Sequence, residues 1–184
     1  MMIVLMLSSM VLSTIACQLD IGGPEPPGPP IPTEASASED LIRTWQQALS
    51  AAVNQGQIMV MLNETQLTSF LASKLDAEER AVLTNPQVYL REDLVQVFGT
   101  TERGPLQANI LLSITPDITS DGSIEFSLTG AEIGPIPAPD ALRETISALL
   151  TEAFTGTLGS LATGIRVTSI AVGNGEMAIV GELR

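Results

Sequence analysis

Apolar and polar positions along this chain follow one period at first and another later, and the change divides the fold. Leu41, Trp45, Leu49 and Ala52 recur at helical spacing, so one apolar stripe runs to about Val53. Ser38, Glu39 and Asp40 suit the start of that helix, and Asn54-Gln55-Gly56 ends it. The short apolar run Ile58-Met59-Val60-Met61-Leu62 predicts a strand. Asn63 or Thr65 can cap a second helix, with Leu67, Phe70, Leu71 and Leu75 on one face. It ends near Asp76 or continues as a turn through Ala81.

Beyond this the period becomes two. Val88 and Leu90 alternate up to the polar turn Arg91-Glu92-Asp93, and Val95 and Val97 continue past it. Leu106, Ala108, Ile110, Leu112 and Ile114 form a long alternating strand, with Gln107, Asn109, Ser113 and Thr115 on its other face. Pro116-Asp117 through Asp121-Gly122-Ser123 turns the chain into a strand carrying Ile124, Phe126 and Leu128. This is an antiparallel meander with one wet face. Gly134 to Pro139 stops it, and a long helix follows with Leu142, Ile146, Leu149, Leu150 and Phe154 on its apolar face. Gly156 and Gly159 break that helix, and Val167–Val172 and Met177–Val180 flank the hairpin turn Gly173-Asn174-Gly175. The predicted class is α+β: a curled antiparallel sheet packed against N-terminal helices and one long helix in the C-terminal half, with a closing hairpin.

The N-terminal region reads differently. Residues 1–16 are uncharged and apolar, shorter than the roughly 20 residues of a spanning helix, and Cys17 follows them as the single cysteine. Ile15-Ala16-Cys17 resembles the end of a bacterial lipoprotein signal peptide, in which the cysteine takes a diacylglycerol. Thr14 stands where such signals usually carry leucine, and no Lys or Arg precedes Arg43. The resemblance implies a signal peptide over 1–16, a lipidated Cys17, and a location on the extracytoplasmic face of the cell membrane. The alternatives are an ordinary cleaved signal peptide and an uncleaved anchor. Residues 17–38 then comprise the modified cysteine and a Pro/Gly/Ser-rich tether, able to lift the domain some tens of ångströms at about 3.1 Å per residue. Residues 39–184 are long enough for a single domain with its own core.

The formal net charge is −13, none of it from the first 16 residues. So acidic a surface repels phosphates, which sets nucleic acid aside as a partner. Aromatics are only 3% of the chain, so any pocket is walled by aliphatic side chains. Histidine is absent and Lys74 is the single lysine, so the usual general base and a Ser-x-x-Lys nucleophile are both missing. Asp117 to Asp121-Gly122 faintly matches a calcium loop, but Thr119 and Leu128 occupy ligand positions and a strand-connecting turn fits better. Asn63-Glu64-Thr65 has the pattern of a glycosylation sequon and suits a helix cap. The glycines from Gly156 to Gly164 lack phosphate-loop spacing. Glu78-Glu79 and Glu92-Asp93 read as solvated pairs. No catalytic residue, metal site or cofactor is expected.

Three stretches carry a family resemblance: Leu62-Asn-Glu-Thr-Gln-Leu67-Thr-Ser-Phe70-Leu71; Phe126-Ser-Leu128 followed by Ile133-Gly-Pro-Ile-Pro137; and Val167 through the glycine turn to Gly181. Together they resemble bacterial envelope proteins of the tubular lipid-binding type, nearest the YpmS-like and LmeA-like families. The resemblance covers most of residues 58–183. It implies a highly curved sheet around a long helix, with an apolar groove for acyl chains and no catalytic residues. The residues allow the same arrangement. A face of Leu106, Ile110, Leu112, Ile124, Phe126 and Leu128 must be covered, and Leu142, Ile146, Leu149 and Leu150 supply the obvious cover. Where the two meet tightly they form a core; where they stand apart, the gap suits a lipid tail or other hydrophobic ligand. The rival expectation is a module on the same anchor that binds another envelope protein and has no cavity.

Overall fold

A computed structural model describes residues 19–76, 83–103, 106–137 and 164–183. The described residues are α+β, with two helices and two antiparallel sheets. Strand β1 (Leu19–Asp20) is followed by helix α1 (Ala35–Gln55), strand β2 (Gln57–Asn63) and helix α2 (Glu64–Asp76). The meander is β3 (Thr84–Arg91), β4 (Leu94–Arg103), β5 (Leu106–Ile118) and β6 (Ile124–Ile133), with the two-residue β7 (Ile136–Pro137) added to its edge. Strands β8 (Ile165–Val172) and β9 (Glu176–Leu183) complete the set.

Helix α1 begins at Ala35, four residues earlier than the charge pattern suggested, and stops where Gly56 adopts φ 74° and donates its N–H to the Ala52 carbonyl at 2.7 Å. Its stripe places Leu41, Trp45 and Ala52 in the core, with Leu49 partly buried. Helix α2 opens on a reciprocal cap. Asn63 Oδ1 accepts the Gln66 N–H at 2.9 Å, and Gln66 Oε1 accepts the Asn63 N–H at 3.1 Å. Asn63 therefore caps the helix, and Leu67, Phe70 and Leu71 are buried below it.

The same helix closes the edge of the meander. Val88 N–H donates to Thr68 Oγ1 at 2.9 Å, and Leu90 N–H donates to Glu64 Oε1 at 2.9 Å. Side chains from α2 thus satisfy edge donors that would otherwise invite another strand. Glu64 also pairs with Arg91. The β3–β4 turn needs both central residues in the left-handed region, and Glu92 (φ 52°) and Asp93 (φ 62°) supply it.

Strand β5 runs on to Ile118, so Pro116 and Asp117 lie inside it rather than in the turn expected there. Its pairing with β4 stops at Ile114, so Pro116 lies where β5 is bonded to β6 alone and breaks no β4–β5 bond. The turn itself is held by Thr119, whose hydroxyl donates to Asp121 and whose N–H reaches the Ser123 carbonyl at 2.9 Å. The segment that resembled a calcium loop is thus a strand-connecting turn.

One expectation about architecture changes. One curled sheet with a closing hairpin was expected, yet β8 and β9 join β2 in a separate sheet of order β2-β9-β8. Met59 faces Val180 and Met61 faces Ala178 in this ladder. The inner faces of both sheets and the two helices meet in one core, from Leu41 and Trp45 through Ile58, Val60, Val88 and Ile110 to Val167 and Ile179. The long helix expected from Pro139 or Asp140 lies outside the described residues.

Part of the segment expected as a tether is described as well. Residues 19–23 lie against β5 and β6, and residues 28–31 lie against β3. Leu19 and Asp20 pair in parallel with Leu106 and Gln107, and Ile21 N–H donates to the Gln107 carbonyl at 2.9 Å. Asn109 N–H donates to Gly22 at 3.0 Å. Gly23 comes so close to Gly134 that an added Cβ would stand 2.7 Å from its Cα. Its φ of 129° also lies where side chains rarely go. The segment then crosses to β3, where the Tyr89 hydroxyl donates to the carbonyls of Pro29 at 2.9 Å and Gly28 at 3.2 Å. Gln87 bonds both the N–H and the carbonyl of Ile31. Ile31, Tyr89 and Phe98 form a second small core on this outer face, against Leu111. Proline removes donors and favours extended backbone, which is why the segment reads as a spacer. Here its backbone carbonyls, the N–H groups of Ile21 and Ile31, and the Ile31 side chain hold it.

Candidate functional site

The apolar face of β5 and β6 was the sequence-predicted site. Alternation places Ala108, Ile110, Leu112 and Ile114 of β5 on one side, beside Ile124 and Phe126 of β6. Ile110 and Leu112 are essentially without solvent exposure, and Phe126 is 5% exposed. All three belong to the main core, and Leu128 is partly buried against it. The structure brings these four together, so this stretch of the face is covered.

Leu106 differs from them. It shares their face of β5 but lies beyond the end of the core and is 42% exposed. Ile21, just past β1, is 45% exposed, and its side chain lies 3.3 Å from the position a Gly134 Cβ would take. The aliphatic face therefore emerges into solvent at the end of the meander marked by the β4–β5 connection and β1. Leu142, Ile146, Leu149 and Leu150, expected as the opposite wall, lie outside the described residues, as does Cys17.

No protein-family model matches this sequence, and no curated protein matches it. The chemistry of the site therefore rests on its own residues. Its described walls are apolar, and such side chains offer contact area and exclusion of water. Among the described residues no group of three His, Cys, Asp or Glu could hold a metal ion. No described helix is long and apolar enough to cross a membrane.

Two features escaped the sequence reading. The Trp45 indole is wholly buried, and its Nε1 donor has no hydrogen-bond partner among the described residues. A buried donor left so costs about 1–3 kcal/mol. Periodicity marked Trp45 as core but could not show what its N–H meets. The other feature is the outer face of β2, where Met59 and Met61 are 65% and 51% exposed. The run Ile58 to Leu62 looks uniformly apolar, so only the pleat reveals that its two methionines face out.

Tyr89 is the described group with a buried hydroxyl bearing on the N-terminal segment. Burial holds its pKa above the ordinary tyrosine value, Glu64 adds to the rise, and Arg91 opposes it.

Proposed function

We propose that this is a lipid-anchored extracytoplasmic protein that binds a lipid or another hydrophobic ligand and performs no bond chemistry. The observation that carries the reading is the aliphatic face that leaves the core at Leu106 and Ile21. A face of this kind can accept an acyl chain at its open end without a polar group being stranded. The apolar positions Leu142, Ile146, Leu149 and Leu150 would form the opposing wall. Cys17 would carry the diacylglycerol, since it follows a signal-like segment and is the single thiol. Two or more acyl chains are needed for firm anchoring, which a modified lipoprotein cysteine meets.

Native mass spectrometry of residues 18–184 expressed in bacteria tests the reading. The expected result is a reproducible added mass of several hundred daltons, lost on organic extraction. A bare protein mass, with no uptake of added phospholipid or fatty acid, would overturn it.

A second reading, an envelope-protein interaction module, draws on a separate observation. Met59 and Met61, with Val180 and Ala178 beside them, give the second sheet an apolar outer face. Methionine-rich faces adapt to partners of varied shape. Crosslinking in the intact envelope from p-benzoylphenylalanine at position 59 would recover one discrete partner if this reading holds.

A further inference from the structure

The N-terminal segment fixes where a membrane would meet this protein. Residues 19–22 are bonded to β5, so only Gln18 separates Cys17 from a strand. Two residue steps span at most about 7 Å. A lipid on Cys17 would then hold β1 directly at the bilayer rather than tens of ångströms above it. The part of the molecule at that point is not neutral ground. Leu106 pairs with Leu19 and is 42% exposed, and Ile21 follows at 45%. Strand direction places the acidic turns at the opposite end. Glu92 and Asp93 close β3–β4 there, and Asp121 lies between β5 and β6. Asp20 and Glu102 lie exposed at the near end, where their charge opposes anionic lipid, so any seating there falls to the aliphatic side chains and favours neutral lipid.

We infer that the end of the meander formed by β1, Ile21 and Leu106 is a membrane-seating surface, with the aliphatic side chains resting in the interfacial layer of a lipid bilayer. This inference rests on the proposed lipidation of Cys17. It also gives the proposed hydrophobic site a source for its ligand, because its open end would face the lipid.

The test uses the full chain, lipid-modified in bacteria and reconstituted into phosphatidylcholine vesicles. Single cysteines are introduced as Leu106→Cys, Ile21→Cys and Asp121→Cys, and each carries a nitroxide label. Mass spectrometry of the N-terminal peptide reports the state of Cys17 in the same preparations. The expected result is a several-fold higher ratio of oxygen to nickel-chelate accessibility at positions 106 and 21 than at 121. A flexible Gly-Ser insertion between Gln18 and Leu19 should abolish that difference while the protein stays on the vesicles. A lipid-modified Cys17 with all three labels equally open to the nickel chelate would overturn the seating surface alone. An unmodified Cys17 would overturn the anchor and the seating surface with it. Ile21→Cys gives an independent answer if Leu106→Cys does not fold.

Discussion

Single side chains decide how firmly the proline-rich segment is held. Tyr89 and Gln87 supply most of its side-chain hydrogen bonds, and the Tyr89 ring meets Phe98 edge-on at 5.6 Å. Replacing Tyr89 by Phe removes the hydroxyl but keeps the ring. The expected loss is about 1 kcal/mol, read by urea denaturation, with faster amide exchange from Ile21 to Ile31. The pKa of Tyr89 is raised in the fold, so its neutral form is the one the native state favours. Its contribution is present below the unfolded value of about 10 and is lost as pH rises through the folded value. Alkaline release of the segment, followed by amide exchange or proteolysis, should therefore shift to lower pH in Gln87→Ala. Trp45 presents a different case, a buried donor with no partner among the described residues. Trp45→Phe is expected within about 1 kcal/mol of the parent, whereas Trp45→Ala should lose about 3–5 kcal/mol. A Phe variant as unstable as the Ala variant would show that the indole N–H has a partner.

At the scale of elements, sequence periodicity located what local geometry controls. The stripe of α1, the Asn63 cap and the tight turn at Glu92-Asp93 all follow from residues close in sequence. So do the inward positions Ile110, Leu112 and Phe126 of the candidate site. What was not legible depends on distant partners. Strand β2 pairs with β9 across more than a hundred residues, and no alternation within either strand names the other. Likewise, alternation placed Leu106 on the apolar face but could not tell that the core ends before reaching it. Composition marked residues 19–34 as lacking a core of their own, and could not show the partners that hold parts of them, the β5 backbone, Tyr89 and Gln87. Strand β2 offers a direct check on which side of the pleat matters. Met59→Thr and Met61→Thr should each change stability by no more than about 0.5 kcal/mol. Ile58→Ala, on the buried side, should cost about 2–5 kcal/mol. Equal effects in thermal unfolding would contradict the assignment of faces. Gly23→Ala should detach β1 without disturbing β3–β6, since its Cβ would press on the Gly134 backbone.

For the whole molecule, charge is the dominant long-range term. A formal charge of −13 over 184 residues repels itself in the compact state. Raising the salt from about 0.01 M to 0.15 M shortens the screening length from about 30 Å to 8 Å, so Tm should rise over that range. A Tm that falls with salt would mean that ion pairs such as Arg91–Glu64 outweigh the repulsion. Strand order carries a different consequence, one of timing. The middle strand of the second sheet, β9, is also the last described strand to leave the ribosome. Until residues 176–183 exist, β2 has no partner and the shared core lacks Met177 and Ile179. The second sheet, unlike the meander, therefore cannot be completed before its last strand emerges. Until then the unpaired edge of β2 is open to mispairing or to a chaperone, a hazard that ends only when the final strand is free.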